Sequence, residues 1–299
     1  MTPTLVRHDL PRPEVQQASG APAVPGSRAR ARDWAEIQER MLVPLYDAVY
    51  DRLDVGPRTR LLGLGCGSGL ALVMAAGRGA RVSGVDGDEA RLELARVRLQ
   101  PDGDRGTAGA AGTARLACGG PDLVAGRREV NLVTAFHPAG WTGPVADPAG
   151  DLTRAARLAE RGACLVLGGW GPEERCAVAD VVRVADRMVA AATGGSADGA
   201  ADGTPPAWRP GARDELEELA AGAGLLPDGS GRVSCPFGYA DLPSAVRGML
   251  STGLFDRALE LAGPGQVEKE VAEALHVHRR PDGTVWMSNV FRYLIARTP

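Results

Sequence analysis

Three glycines spaced two apart, Gly65, Gly67 and Gly69, lie between an apolar run at 60–64 and another at 70–76. Backbone without Cβ atoms turns through positive φ and lets a ligand approach closely. If the second run opens a helix, its first N–H groups face the same loop unpaired. The combination suits a nucleotide-type ligand. A dinucleotide fingerprint would read GxGxxG, whereas Leu70 stands where that third glycine would fall. Asp86 lies seventeen residues beyond Gly69, at the end of a further apolar run, with Gly87 and Asp88 after it. Its carboxylate is acceptor-only and can hold two hydroxyl donors at once. The same residue also suits a helix N-cap.

The remaining reactive groups are scattered. Cys66, Cys118, Cys164, Cys176 and Cys235 form no CxxC pair and share no ligand spacing with the four histidines, so no metal centre is expected. His276 and His278 read as surface residues. An odd number of thiols without a signal-peptide pattern fits a cytoplasmic protein. No stretch nears the ~18–20 apolar residues of a spanning helix. A net charge of −3 and a pI near 5.9 provide no basic field for nucleic acid.

The elements that must position the glycine loop alternate along the chain. Residues 1–31, rich in Pro, Ala, Gly and Arg, read as a disordered tail. From Asp33, a candidate N-cap, Trp34, Ile37, Met41, Leu45, Val49 and Leu53 recur at three- or four-residue spacing. Pro44 falls inside this run, so two pieces or a kink are expected across 33–54. Strand 60–64, helix 70–76, strand 82–86 and helix 88–99 then open a doubly wound α/β sheet. A weak strand at 114–118 and a firmer one at 130–136 follow. Next come helix 151–159, buried strand 163–168 and helix 176–192. Residues 193–210 are low in complexity and read as a flexible loop. Helix 214–223, strand 231–236, helical stretches 241–261 and 267–276, and one strand over 284–296 complete the pattern.

The run Leu61-Leu62-Gly63-Leu64-Gly65-Cys66-Gly67-Ser68-Gly69 resembles the first motif, roughly (V/L)LDxGxGxG, of the class I (Rossmann-like) S-adenosylmethionine-dependent methyltransferases, particularly the type 11 small-molecule group. Asp86 matches the family's acid that accepts both ribose hydroxyls. The resemblance continues through the strand before Phe136, Gly169-Trp170-Gly171 and Asn289 to Leu294, and covers about 33–297. It implies an α/β fold with a doubly wound, mostly parallel seven-stranded sheet, an antiparallel last strand and helical cap additions, over 32–299. It also implies S-adenosylmethionine as cofactor, held by Gly63, Gly65, Cys66, Gly67, Gly69, Asp86, Gly87, Cys118, Gly119 and Phe136. Trp34, Met41 and Tyr46 of the cap would close over it, their aromatic faces attracting the sulfonium. Three positions depart from the family pattern. Its first-motif acid falls on Gly63, which removes an acceptor worth on the order of 1–3 kcal/mol. Its adenine-binding Asp has no clear counterpart near Cys118, where Asp122 is the nearest acid. Its acid before the fourth strand is replaced by Val130-Asn131.

The resemblance implies methyl transfer to oxygen, nitrogen or carbon of a small-molecule acceptor, such as a specialised metabolite, by a protein open to homodimerisation. Phe136, His137 and Trp141 follow the fourth strand and would face the transferred methyl group. His137 is the candidate general base, with an ordinary pKa near 6.5; packing or capping is its competing role. Phe237 and Tyr239 are candidate substrate-pocket residues. Two other functions stay open: use of the cofactor without transfer, in a cyclisation, rearrangement or hydroxylation, and a degenerate, non-catalytic binding protein.

Overall fold

The computed structural model describes residues 27–99, 114–126, 129–137, 148–194 and 214–299. The tail before residue 27, Trp141 and all but the start of the 193–210 loop lie outside the described residues. The strands are β1 (Arg60–Leu64), β2 (Arg81–Asp86), β3 (Arg115–Cys118), β4 (Val130–Ala135), β5 (Ala159–Trp170), β6 (Leu226–Ser234), β7 (Phe237–Tyr239), β8 (Val285–Met287) and β9 (Val290–Arg297). The helices are α1 (Ser27–Asp33), α2 (Val43–Arg52), α3 (Leu70–Gly77), α4 (Glu89–Leu99), α5 (Pro148–Leu158), α6 (Ala179–Thr193), α7 (Glu215–Gly222), α8 (Leu242–Leu250), α9 (Asp256–Ala262) and α10 (Pro264–His276).

Seven strands form one sheet in the order β3-β2-β1-β4-β5-β9-β6. The first five pair in parallel, and β9 runs antiparallel between β5 and β6. This is the expected doubly wound α/β architecture. In β1 the neighbours Leu61 and Leu62 enter separate cores, one under α3 and the cap, the other under α5 and α7. A strand buried on both faces reads as a continuous apolar run rather than an alternation. Asn131, in place of the family's acid, pins β4 to the start of β1. Its Oδ1 accepts from Arg60 N–H at 2.8 Å and its Nδ2 donates to the Arg58 carbonyl at 3.0 Å.

Several boundaries depart from the sequence reading. Helix starts at Ser27, inside the stretch expected to be an unstructured tail; Ala31 is buried and Arg30 pairs with Asp256 at 2.6 Å. Asp33 therefore lies within the helical run and caps nothing. The cap does break, as Pro44 requires: a π turn (Trp34–Gln38) and a 3-10 turn (Glu39–Leu42) precede α2. Pro44 sits in the first turn of α2, where a missing N–H costs nothing. The two late strands are each divided. Cys235 N–H bonds to the Asn289 carbonyl at 2.8 Å, and beyond that point β7 and β8 form their own two-stranded sheet.

Candidate functional site

The glycine loop joins β1 to α3 at the carboxyl edge of the sheet. Gly65, Gly67 and Gly69 all have positive φ, at 58°, 57° and 82°. A side chain would strain each of them. Gly69 adds a packing demand, since a Cβ there would lie 2.9 Å from Ala95 Cβ on α4. A Cβ on Gly63 would meet Leu72 Cδ2 at 3.0 Å and Cys66 Cβ at 3.4 Å, so an acid there would require Leu72 to shift by a few tenths of an ångström. Cys66 is buried beside Gly84, and burial pushes its thiol up, so it holds no thiolate.

Asp86 ends β2 beside this loop, 3% exposed. Its Oδ2 accepts from Gly67 N–H at 2.7 Å, and its Oδ1 accepts from Asp88 N–H at 2.8 Å. Burial raises its carboxyl above the ordinary range, against the opposing pull of Arg91 and the two N–H donors. A carboxylate has about four acceptor positions; two are used here. At the next strand end, Gly119 N–H bonds to the Asp86 carbonyl at 3.2 Å, and Cys118 Sγ lies 3.7 Å from the Gly87 carbonyl. Among the described residues nothing lies within 4 Å of where a Cβ on Gly87 would sit. Gly65, Gly67, Asp86, Gly87, Cys118 and Gly119 therefore share one edge of the sheet.

The cap covers that edge. Trp34 and Tyr46 are fully buried. His137, just past β4, is held between the loop and the cap: Nδ1 lies 2.6 Å from the Gly65 carbonyl and Nε2 lies 3.0 Å from Tyr46 Oη. A carbonyl only accepts, so Nδ1 carries the proton and Nε2 takes the Tyr46 O–H. Burial lowers the His137 pKa to about 4, opposed by the bond to Gly65 and assisted by Arg91. The imidazole is thus neutral at neutral pH. Phe136 is buried against Tyr46 and Tyr50, with ring centroids 4.9 and 5.8 Å away.

Several residues here escaped the sequence reading. Glu39 drops from the cap onto the loop, where Ser68 N–H donates to Oε1 at 3.1 Å and Ser68 Oγ–H donates to Oε2. Arg98 of α4 bonds Glu39 Oε2 at 2.7 Å, the Ser68 carbonyl at 3.0 Å and the Ala35 carbonyl at 2.8 Å. Arg91, almost fully buried, donates to the Ser251 carbonyl at 2.6 Å, and its guanidinium carbon lies 4.5 Å over the Trp34 ring. One face of Trp34 is therefore already covered by a cation. Arg91 and Arg98 are two turns apart on α4, a spacing that marks one face. Phe237 and Tyr239 are core residues, not lining: Phe237 packs with Trp170 and Phe291, and Tyr239 O–H donates to Gln38 Oε1 at 2.9 Å. His276 is exposed as expected, but His278 is half-buried. No described group of three or more His, Cys, Asp or Glu side chains is arranged to hold a metal, and no described helix is long and apolar enough to cross a membrane.

No protein-family model matches the sequence, and no curated protein sequence does either. Solved structures do match. The YcgJ protein from Bacillus subtilis superposes with a TM-score of 0.53 at 14% identity, covering 85% of this chain and 97% of that one. A putative methyltransferase, BH2331 from Bacillus halodurans, gives 0.51 at 13% identity over 85% and 98% of the two chains. The [4+2]-cyclase SpnF gives 0.51 at 15% identity over 85% and 80%. At such identities the likeness is one of fold, and the chain carries the Rossmann-like fold of the class I methyltransferases.

Proposed function

We propose that the chain binds S-adenosylmethionine along the carboxyl edge of β1 and β2 and transfers its methyl group to a small-molecule acceptor, a specialised metabolite being the favoured kind. The observation that carries this reading is the loop of three positive-φ glycines with the Asp86 carboxylate 2.7 Å from Gly67 N–H. The donor set fits a nucleoside with an amino-acid tail. Asp86 keeps acceptor positions for ribose hydroxyls, and the loop presents backbone groups that His137 and Glu39 engage here. Room over Gly67 is limited, because a Cβ there would lie 2.9 Å from both Glu39 Oε1 and Trp34 Nε1. The cofactor supplies a methyl group already activated on a sulfonium. The protein's share is to orient the acceptor, exclude water and, where needed, remove a proton. His137 lies at the end of β4, where the acceptor would approach, and serves as base once Nε2 releases the Tyr46 hydroxyl.

A second reading draws on the same residue. An imidazole held near 4, with both nitrogens engaged, is a weak base. That favours chemistry without deprotonation: transfer to an already nucleophilic atom, or a cyclisation like that named for SpnF. Titration calorimetry with S-adenosylmethionine and S-adenosylhomocysteine tests the shared premise. Micromolar binding is expected, weakened at least tenfold, about 1.4 kcal/mol, in Asp86→Ala. Absence of binding at millimolar ligand would leave the degenerate binding protein as the account.

A further inference from the structure

Glu39 is the most deeply enclosed acid of the cap, its side chain 1% exposed, yet it belongs to a segment whose other acids face solvent or its margin. Four donors converge on it. Ser68 contributes N–H at 3.1 Å and its hydroxyl, Arg98 contributes a guanidinium at 2.7 Å, and Leu70 N–H stands at 3.5 Å. The two N–H groups belong to the opening of α3, where aligned peptide dipoles favour an anion. Oε1 lies over Gly67, 2.9 Å from where a Cβ there would sit, and Gly67 N–H itself donates to Asp86 at 2.7 Å. The segment that delivers it is wound tightly and irregularly, π over Trp34–Gln38 and 3-10 over Glu39–Leu42. Such stretches within a helical run recur at functional hinges.

We propose that Ser68, Leu70 N–H and Arg98 form a binding seat for the carboxylate of a ligand, and that Glu39 occupies this seat in cis as an intramolecular competitor. The seat cannot hold both anions, so a carboxylate-bearing ligand enters by displacing Glu39 and releasing 34–42 from the loop. Glu39 thereby sets the affinity of the protein for that ligand without being part of its final site. Taking the ligand to be the amino-acid tail of the cofactor rests on the reading above; the existence of the seat does not.

Two measurements separate these levels. In Glu39→Ala, added acetate should raise the melting temperature and slow hydrogen exchange across 66–70, while the neutral isostere acetamide should do neither. Lack of acetate rescue, or equal rescue by acetamide, overturns the seat whatever becomes of the cofactor. Calorimetry then compares S-adenosylhomocysteine with 5′-methylthioadenosine, which lacks the amino-acid tail. S-adenosylhomocysteine should tighten at least fivefold in Glu39→Ala and less in Glu39→Gln, with methylthioadenosine changing less than twofold. Weaker S-adenosylhomocysteine binding in folded Glu39 variants would overturn the competitor role and make Glu39 a direct ligand contact. Equal tightening of both nucleosides would overturn carboxylate selectivity. If neither nucleoside binds any variant, the cofactor reading fails and the acetate result alone decides the seat. Glu39→Gln preserves shape and serves for all titrations if Glu39→Ala does not fold.

Discussion

In the unfolded chain His137 titrates near 6.5, whereas in the native protein burial holds it near 4. Between those values the unfolded state binds a proton that the native state refuses, so stability rises with pH across that window and falls as the pH drops through it. At pH 7 both states are mostly deprotonated, so the penalty is small. At pH 5 the unfolded imidazole is almost wholly charged and the native one is not, which amounts to about 1.5 pH units of unmatched protonation. At ~1.36 kcal/mol per unit, the native protein loses about 2 kcal/mol between pH 7 and 5 through this one residue. His137→Gln removes the titration while offering an N–H to the Gly65 carbonyl. Urea unfolding followed by circular dichroism at pH 7, 6 and 5 should show the unsubstituted protein losing about 2 kcal/mol more than the variant. Asp86 and Asp256, whose carboxyls are raised by burial, act with the opposite sign, losing stability as pH rises through their range. They are common to both proteins and cancel in the difference. Parallel curves would show that native His137 takes up protons freely, and that the bridge from Tyr46 to Gly65 does not exist as described.

Two further substitutions test the frame around the loop. Gly69→Ala should cost about 2–5 kcal/mol in thermal unfolding, combining a left-handed residue with overpacking against Ala95. Asn131→Ala should cost about 0.5–1.5 kcal/mol by removing the bonds to the half-buried Arg60 N–H and the exposed Arg58 carbonyl, and Asn131→Asp should recover only the acceptor half.

The part of the fold legible from sequence is the part governed by local chemistry. Glycine spacing, two apolar strands and Asp86 suffice for β1, its loop, α3 and β2, because each residue's role depends on near neighbours. Glu39 was not legible, because its partners Ser68 and Arg98 are distant in the chain. A regular α-helix carrying the stripe from Trp34 to Leu53 would direct Glu39 off that stripe. The π turn shifts the register and brings Glu39 inward instead. The division of the last strand was hidden for a similar reason. Alternation runs on through Ser288 and Asn289, yet Asn289 leaves the ladder to bond Val178 N–H at 3.0 Å and accept from Cys235 N–H. Phe237 looked like pocket lining because an aromatic side chain carries no mark of which side of a short strand it occupies.

The position of β9 bears on how the chain is made. It is the last strand in sequence, yet it lies inside the sheet, bonded to β5 on one side and β6 on the other. During synthesis β5 and β6 emerge first, β5 with one ladder edge unpaired and β6 without its sheet partner. The span from Ser234 to Arg297 takes about 3–13 s at ~5–20 residues per second. For that interval the nascent protein carries open strand edges that another strand can join. Growth conditions that slow translation late in the message should therefore lower the soluble yield more than those that slow it early.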